Sequence, residues 1–186
     1  MVYDPERHHR RSIRLKGYDY RSGGAYFVTI CTLNREPIFG EIHNSKMILN
    51  DWGKIITEKW IWLESHFEYV THDEWILMPN HLHGIIVRGF FNDGGGNVNN
   101  VGRGDSRIAP TANKSNPRII KPLGGIIGAF KTVSTKEINI RWGTPGVRIW
   151  HRNYYEHIIR NQKEWDSIRN YIRLNPMNWT RRGNSL

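Results

Sequence analysis

Two histidines one residue apart, His81 and His83, stand in the stretch Pro79-Asn80-His81-Leu82-His83-Gly84-Ile85-Ile86-Val87. Residues two apart in a strand share a face, so both imidazoles project together while Leu82 and Ile86 point to the other side. Side by side they offer a divalent metal ion two nitrogen ligands without backbone distortion, and Gly84 leaves room beside them. Two half-buried histidines bonded to their neighbours would show the same spacing, and a metal site needs a third ligand from another element. Tyr171 and Asn175 lie one turn apart on a predicted helix. A phenolate there can attack a phosphodiester while a cation between His81, His83 and Asn175 polarises it. Taken alone, Tyr171 could pack on a sheet edge and Asn175 could cap a helix end. Combined with the histidine pair and a basic chain, the chemical reading is favoured. Tyr154 and Tyr155 are the rival nucleophiles. They fall in a predicted strand, where a tyrosine packs or stacks on a base, and neither has a ligand-type residue one helical turn away.

The elements that must position these groups follow from periodicity. Ala25 to Thr32 is β-branched and aromatic, a short buried strand. Met47 to His66 places Trp52, Ile55, Ile56, Trp60 and Leu63 at helical spacing, with Asn50 and Asp51 as candidate caps. Strands over about Phe67 to Met78 and His81 to Arg88 flank the turn signal Pro79-Asn80 and form an antiparallel hairpin. Residues 89–122 are rich in Gly, Asn and Pro without periodicity, a long flexible insertion in the domain. Leu123 to Trp142 is again helical, with Lys131 and Lys136 pointing outward. A strand at Val147–Ile159 and a helix at Gln162–Asn175 complete the set. On that last helix Trp165, Ile168 and Ile172 form the stripe facing the sheet, and Pro176 stops its continuation. The order β-α-β-β-α-β followed by α predicts an α+β, ferredoxin-like plait: a four-stranded antiparallel sheet with helices on one face.

The 186 residues carry 27 Lys and Arg against 17 Asp and Glu, a net charge of +10 and a pI near 9.9. That surplus favours a polyanion, with nucleic acid ahead of an anionic membrane surface. Mean hydropathy is −0.61, and no apolar run approaches the roughly 20 residues of a membrane span. The first sixteen residues are basic without an apolar segment, so no signal peptide is expected. One cysteine, Cys31, excludes an internal disulfide framework and a multi-cysteine zinc site. Eight tryptophans argue for a packed core. The chain reads as a basic arm over 1–24, one domain over 25–178 and a tail over 179–186. Within the arm, Arg10, Arg11, Arg14 and Lys16 are candidate DNA contacts, or else a solvated leader.

His81-Leu82-His83 resembles the His-hydrophobic-His motif of the HUH nucleases, and Tyr171-Ile-Arg-Leu-Asn175-Pro176 resembles the nucleophile helix of their single-tyrosine transposases. Within these, the chain is most similar to the REP-associated tyrosine transposases of bacteria. Arg11-Ser-Ile-Arg-Leu-Lys-Gly-Tyr-Asp-Tyr20, Met78 to His83, and Trp150 through Arg160 extend the likeness over residues 7 to 178. The resemblance implies a metal-dependent single-stranded DNA endonuclease and strand transferase that works without ATP on hairpins such as REP repeats or transposon ends. It implies Tyr171 as nucleophile, forming a 5′-phosphotyrosine and leaving a free 3′-OH. His81, His83 and Asn175 match the family's ligands for Mg²⁺ or Mn²⁺, although insertion-sequence relatives often have Gln near the third position. By analogy, the basic arm and, more weakly, Lys131 would hold hairpin DNA, while His157 and Arg160 would orient the phosphate or bond within the sheet. A cytoplasmic, nucleoid-associated protein follows, either a homodimer as in insertion-sequence relatives or a monomer. A different class, a non-catalytic single-strand-binding module on the same plait, would not need His81, His83 and Tyr171 in register.

Overall fold

The computed structural model describes residues 23–89, 91–92, 96–97 and 120–181. The arm residues Arg10, Arg11, Arg14 and Lys16, and most of the 89–122 insertion, lie outside the described residues.

Strand β1 (Gly24–Cys31) leads through a turn to a small hairpin of β2 (Gly40–His43) and β3 (Lys46–Leu49). Helix α1 (Asp51–His66) follows, then β4 (Val70–Met78) and β5 (His81–Arg88), the short pair β6 (Phe91–Asn92) and β7 (Gly96–Asn97), and helix α2 (Leu123–Trp142). Strand β8 (Tyr155–Ile159) and helices α3 (Gln162–Arg173) and α4 (Asn175–Arg181) close the described chain. The main sheet has the order β4-β5-β1-β8, antiparallel throughout. This is the ferredoxin-like plait.

Its two faces are made by alternate residues of the same strands. Tyr26, Val28, Ile30, Leu82 and Ile86 are fully buried against Ile55, Ile56 and Trp60 of α1 and Ile126, Ile127 and Phe130 of α2. Ala25, Phe27, Ile85 and Ile159 pack instead against Ile172, Ile168 and Trp165 of α3. Helices therefore cover both faces, not one. The split follows from α3's own stripe, which can be buried only on the face that α1 and α2 leave open. Gly84 serves the first face: a Cβ there would lie 2.7 Å from Cζ2 of Trp60, so the space beside it belongs to tryptophan and not to the histidines.

Several expected boundaries differ: β1 and β4 shift by one to three residues, and α3 ends at Arg173, so that Asn175 opens a separate helix rather than closing the one that carries Tyr171. Helix α1 starts at Asp51, because Met47 pairs with Ile42 in the hairpin and the Asn50 side chain caps the helix by accepting from the Gly53 amide at 2.9 Å. Of Val147–Ile159 only Tyr155–Ile159 is strand, the earlier part meeting the sheet through one bridge between Thr32 and Trp150. The chain after Asn175 is helical through Arg181, with Trp179 9% exposed, where the sequence suggests a tail from 179. Pro176 fits there because the first turn of a helix needs no proline amide. No helix among the described residues is long and apolar enough to cross a membrane.

Candidate active site

The second face of the sheet carries the histidines. His81 and His83 are buried, at 0% and 2% exposure, with ring centroids 4.4 Å apart. Each has its Nδ1 engaged: His81 with Oδ1 of Asn80 at 2.6 Å, and His83 with Oγ1 of Thr29 at 2.8 Å. Such bonds fix the ring and leave Nε2 as the outward nitrogen. Asn80 also donates from Nδ2 to the Arg35 carbonyl at 3.0 Å, tying His81 to a turn in which Asn34 and Arg35 have φ of 55° and 58°.

Helix α3 brings Tyr171 to the same place. Its phenol oxygen lies 3.3 Å from Nε2 of His83, and its ring stands edge-on to Phe27 at a centroid distance of 6.0 Å. Tyr171 as a residue is 38% exposed and lines two open clefts, so a substrate can approach it. Asn175, 6% exposed, sits at the start of α4 with its carboxamide against His81, and the Trp179 ring lies 5.8 Å from the same imidazole. The four residues singled out as nucleophile and ligands are thus brought together from β5, α3 and α4.

Burial sets the protonation of the pair. It drives the pKa of His81 down to about 4, with the Asn175 side chain opposing and the Arg35 charge assisting. His83 is pushed well below its ordinary value, by burial first and by His81 second. Both imidazoles are therefore neutral at pH 7, the form in which a histidine can bind a metal ion. Nε2 of His81 is buried with no hydrogen-bond partner among the described residues. A buried lone pair of that kind is costly unless something occupies it. Two oriented neutral imidazoles, an amide oxygen at hand and this orphaned nitrogen fit a divalent cation.

Helix α3 is held by a polar clamp that the sequence reading missed. Asp73, at an irregularity in β4 between His72 and Trp75, receives Nε and Nη2 of Arg169 at 2.7 and 2.9 Å, and Trp165 Nε1 also donates to it. Burial pushes the Asp73 carboxyl up, but these hydrogen bonds outweigh it and hold the pKa below the usual value. Arg173 pairs with Glu74 at 2.6 Å. Because 96 residues separate Asp73 from Arg169, no local pattern announces the pair. The same holds for Thr29 and Arg35.

The remaining candidates lie further out. Nζ of Lys131 is not directed outward: it donates to the carbonyls of His151 and Asn153 at 2.9 and 3.1 Å, and burial lowers its pKa to about 8. His157 and the Arg160 amide both bind the Glu164 carboxylate, at 2.8 and 2.7 Å. The Arg160 side chain is exposed.

A solved structure of a REP-associated tyrosine transposase bound to a REP hairpin matches over 91% of this chain and 74% of its own, with a TM-score of 0.54 and 16% identity. The chain has the fold of a REP-associated tyrosine transposase. The likeness first read from its motifs thus extends to its three-dimensional architecture. A candidate transposase from Deinococcus radiodurans R1 aligns with a TM-score of 0.46 and 11% identity. An uncharacterised protein of Haemophilus influenzae is 41% identical over 180 residues, 95% of this chain and 93% of that protein, and the two belong to one family. No protein-family profile matches the chain.

Proposed function

We propose that this protein is a REP-associated tyrosine transposase of the HUH type, cleaving and rejoining single-stranded DNA beside a hairpin. The observation that carries the reading is the Tyr171 phenol oxygen 3.3 Å from Nε2 of His83, with neutral His81 next to it.

In the reaction, Oη of Tyr171 attacks the phosphorus of a phosphodiester. The O3′ bond breaks, the proton lost by the phenol ends on the departing 3′-OH, and the 5′-phosphate stays on tyrosine. One phosphoester forms for each one broken, so no ATP is needed, and a 3′-OH can reverse the step. His81, His83 and Asn175 would hold Mg²⁺ or Mn²⁺, which would polarise the scissile phosphate when bound. All three ligands are neutral, so none of them would offset the cation's charge, and an arriving phosphate would be the first anion to do so. Thr29 and Asn80 keep the two imidazoles oriented throughout, and the Asp73–Arg169 clamp keeps Tyr171 over them. Nucleophile and histidines meet within one chain, which supports a site complete in the monomer. The basic arm, with Arg10, Arg11, Arg14 and Lys16, would supply hairpin contacts. In this reading the protein works in the cytoplasm, on the nucleoid.

The test is a denaturing gel of wild type and Tyr171→Phe with end-labelled hairpins from the gene's own flanks, in Mn²⁺ or in EDTA. A metal-dependent covalent protein–DNA band in wild type alone is expected. Hairpins that bind both proteins equally and are never cleaved would transfer the protein to the binding-module class.

A further inference from the structure

Tyr171 stands between two clefts. One, of about 460 Å³, includes His83, Arg35 and Asn153 in its walls. The other, of about 660 Å³, includes His157 and Lys163. Both fall within the roughly 300–1,000 Å³ of small-molecule sites. Three rings, Phe27, Tyr155 and Tyr171, belong to both. Phe27 is the buried one, at 8% exposure, and it supports the other two edge-on, Tyr155 at 6.2 Å and Tyr171 at 6.0 Å. Tyr155 is 49% exposed, and the chemistry described above makes no use of it.

An aromatic ring held out of the core on a rigid strand invites a flat ligand. Attack on a phosphodiester by Tyr171 leaves one nucleoside on each side of the phosphorus, and here one cleft opens on each side of Tyr171. Each cleft also holds a cationic side chain, Arg35 or Lys163, for the adjoining phosphates. We propose that Tyr155 is a stacking platform for the nucleobase next to the scissile phosphate, so that it sets where along the strand the cut falls. This rests on the strand-cleavage reading for the path of the DNA. Stacking of this kind tolerates any base, since each presents a π face, so Tyr155 fixes position and leaves sequence to other contacts.

The test uses the full chain and hairpin oligonucleotides with single-stranded flanks, carrying 2-aminopurine or an abasic site at either nucleotide beside the cleavage point. Two readouts are taken: quenching of 2-aminopurine on binding, and the rate of covalent adduct formation. Tyr155→Ala is expected to abolish quenching at one position and to slow adduct formation about 5- to 150-fold. Tyr155→Phe, which keeps the ring, is expected to behave as wild type. An abasic site at that nucleotide should slow wild type to the Tyr155→Ala rate and leave Tyr155→Ala no slower, because the two changes remove one contact. Adducts formed equally well by wild type and Tyr155→Ala, or losses that simply multiply, would overturn the platform while the cleavage reading stands. Quenching that depends on Tyr155 without any adduct would keep the platform and remove the cleavage reading. Neither signal in wild type would remove both.

Discussion

The two faces of the central sheet are built from the same strands, one residue out of step, and they differ in every respect that matters for activity. On one, Tyr26, Val28, Ile30, Leu82 and Ile86 are sealed beneath α1 and α2 without any surface left to solvent. On the other, Phe27, Thr29, His81, His83 and Tyr155 share a face with α3, and a cleft there is lined by Thr29, His83 and Tyr155. Strand alternation divides the labour. Successive residues can be given to stability and to chemistry by turns, because a side chain on one face does not feel the packing of the other except through the backbone. A site assembled this way inherits a rigid floor, with Tyr171 and Tyr155 partly exposed beside the buried histidines.

That division makes a sharp prediction. Tyr171→Phe is expected to eliminate the covalent DNA adduct while leaving the thermal unfolding midpoint unchanged, since the residue is partly exposed and its ring stays in place. Trp60→Ala, on the opposite side, is expected to cost about 3–5 kcal/mol and so to lower Tm by about 2–4 °C per kcal/mol in a chain of this size. Calorimetry of both variants alongside the gel assay checks the pair. A Tyr171→Phe protein that melted as early as Trp60→Ala would show that the faces are not independent.

How much of this was legible in the sequence depended on how local each signal was. Helix α2 matches its expected bounds, Leu123–Trp142, because helical spacing ends at Gly143, whose φ of 62° suits a C-cap glycine. Strand β5 and the histidine pair were readable for the same reason: two-residue alternation carries its own register. Met47 to Leu49 satisfied helical spacing as well as strand pairing, and only the Asn44-Ser45 turn, with φ of 48° and 58°, distinguishes the hairpin. Trp179 was a signal left unread, a large ring just beyond Asn175 that needed somewhere to be buried. Asn80, Thr29, Asp73 and Arg169 were out of reach. Their roles depend on partners as far as 96 positions away, which only the folded chain brings together.

Acid should strain the sealed face through one residue. His72 stacks on Trp60 at 4.5 Å, its Nε2 has no hydrogen-bond partner among the described residues, and burial lowers its pKa to about 4 with Glu64 opposing. The folded protein keeps this imidazole neutral while the unfolded chain takes up a proton near pH 6.5. Stability is therefore complete above pH 6.5 and falls between there and about 4, by on the order of 3 kcal/mol. His72→Phe preserves the stack and should remove the His72 share of that slope, leaving the share of the buried, neutral His81 and His83; urea unfolding at pH 7 and pH 4.5 measures it. An unchanged slope would show that His72 is not the group responsible.

Gly84 offers a smaller and more local probe, because it follows His83 directly yet faces the tryptophan. Gly84→Ala places a Cβ 2.7 Å from the Trp60 ring and should destabilise by about 1–3 kcal/mol. In the remaining folded protein, adduct formation per molecule should stay near the wild-type rate. A large loss of rate at full folding would mean that strain crosses the strand into the site.

The mildest test separates the polar clamp from simple charge. Arg169→Lys keeps a cation opposite Asp73 but loses the two-pronged bond that the guanidinium makes at 2.7 and 2.9 Å. Global stability should change little, because the pair is partly exposed and Ile172 still anchors α3. Tyr171, two residues along the helix, should then sit less firmly over His83. A misplacement of about 1 Å can cost as much as 100-fold in rate, so a loss of around tenfold is expected from this gentler change. Single-turnover adduct formation at saturating DNA isolates that effect from binding. If the rate is unchanged, the apolar stripe of α3 alone suffices to aim the nucleophile, and the clamp on β4 serves only to hold the helix on the sheet.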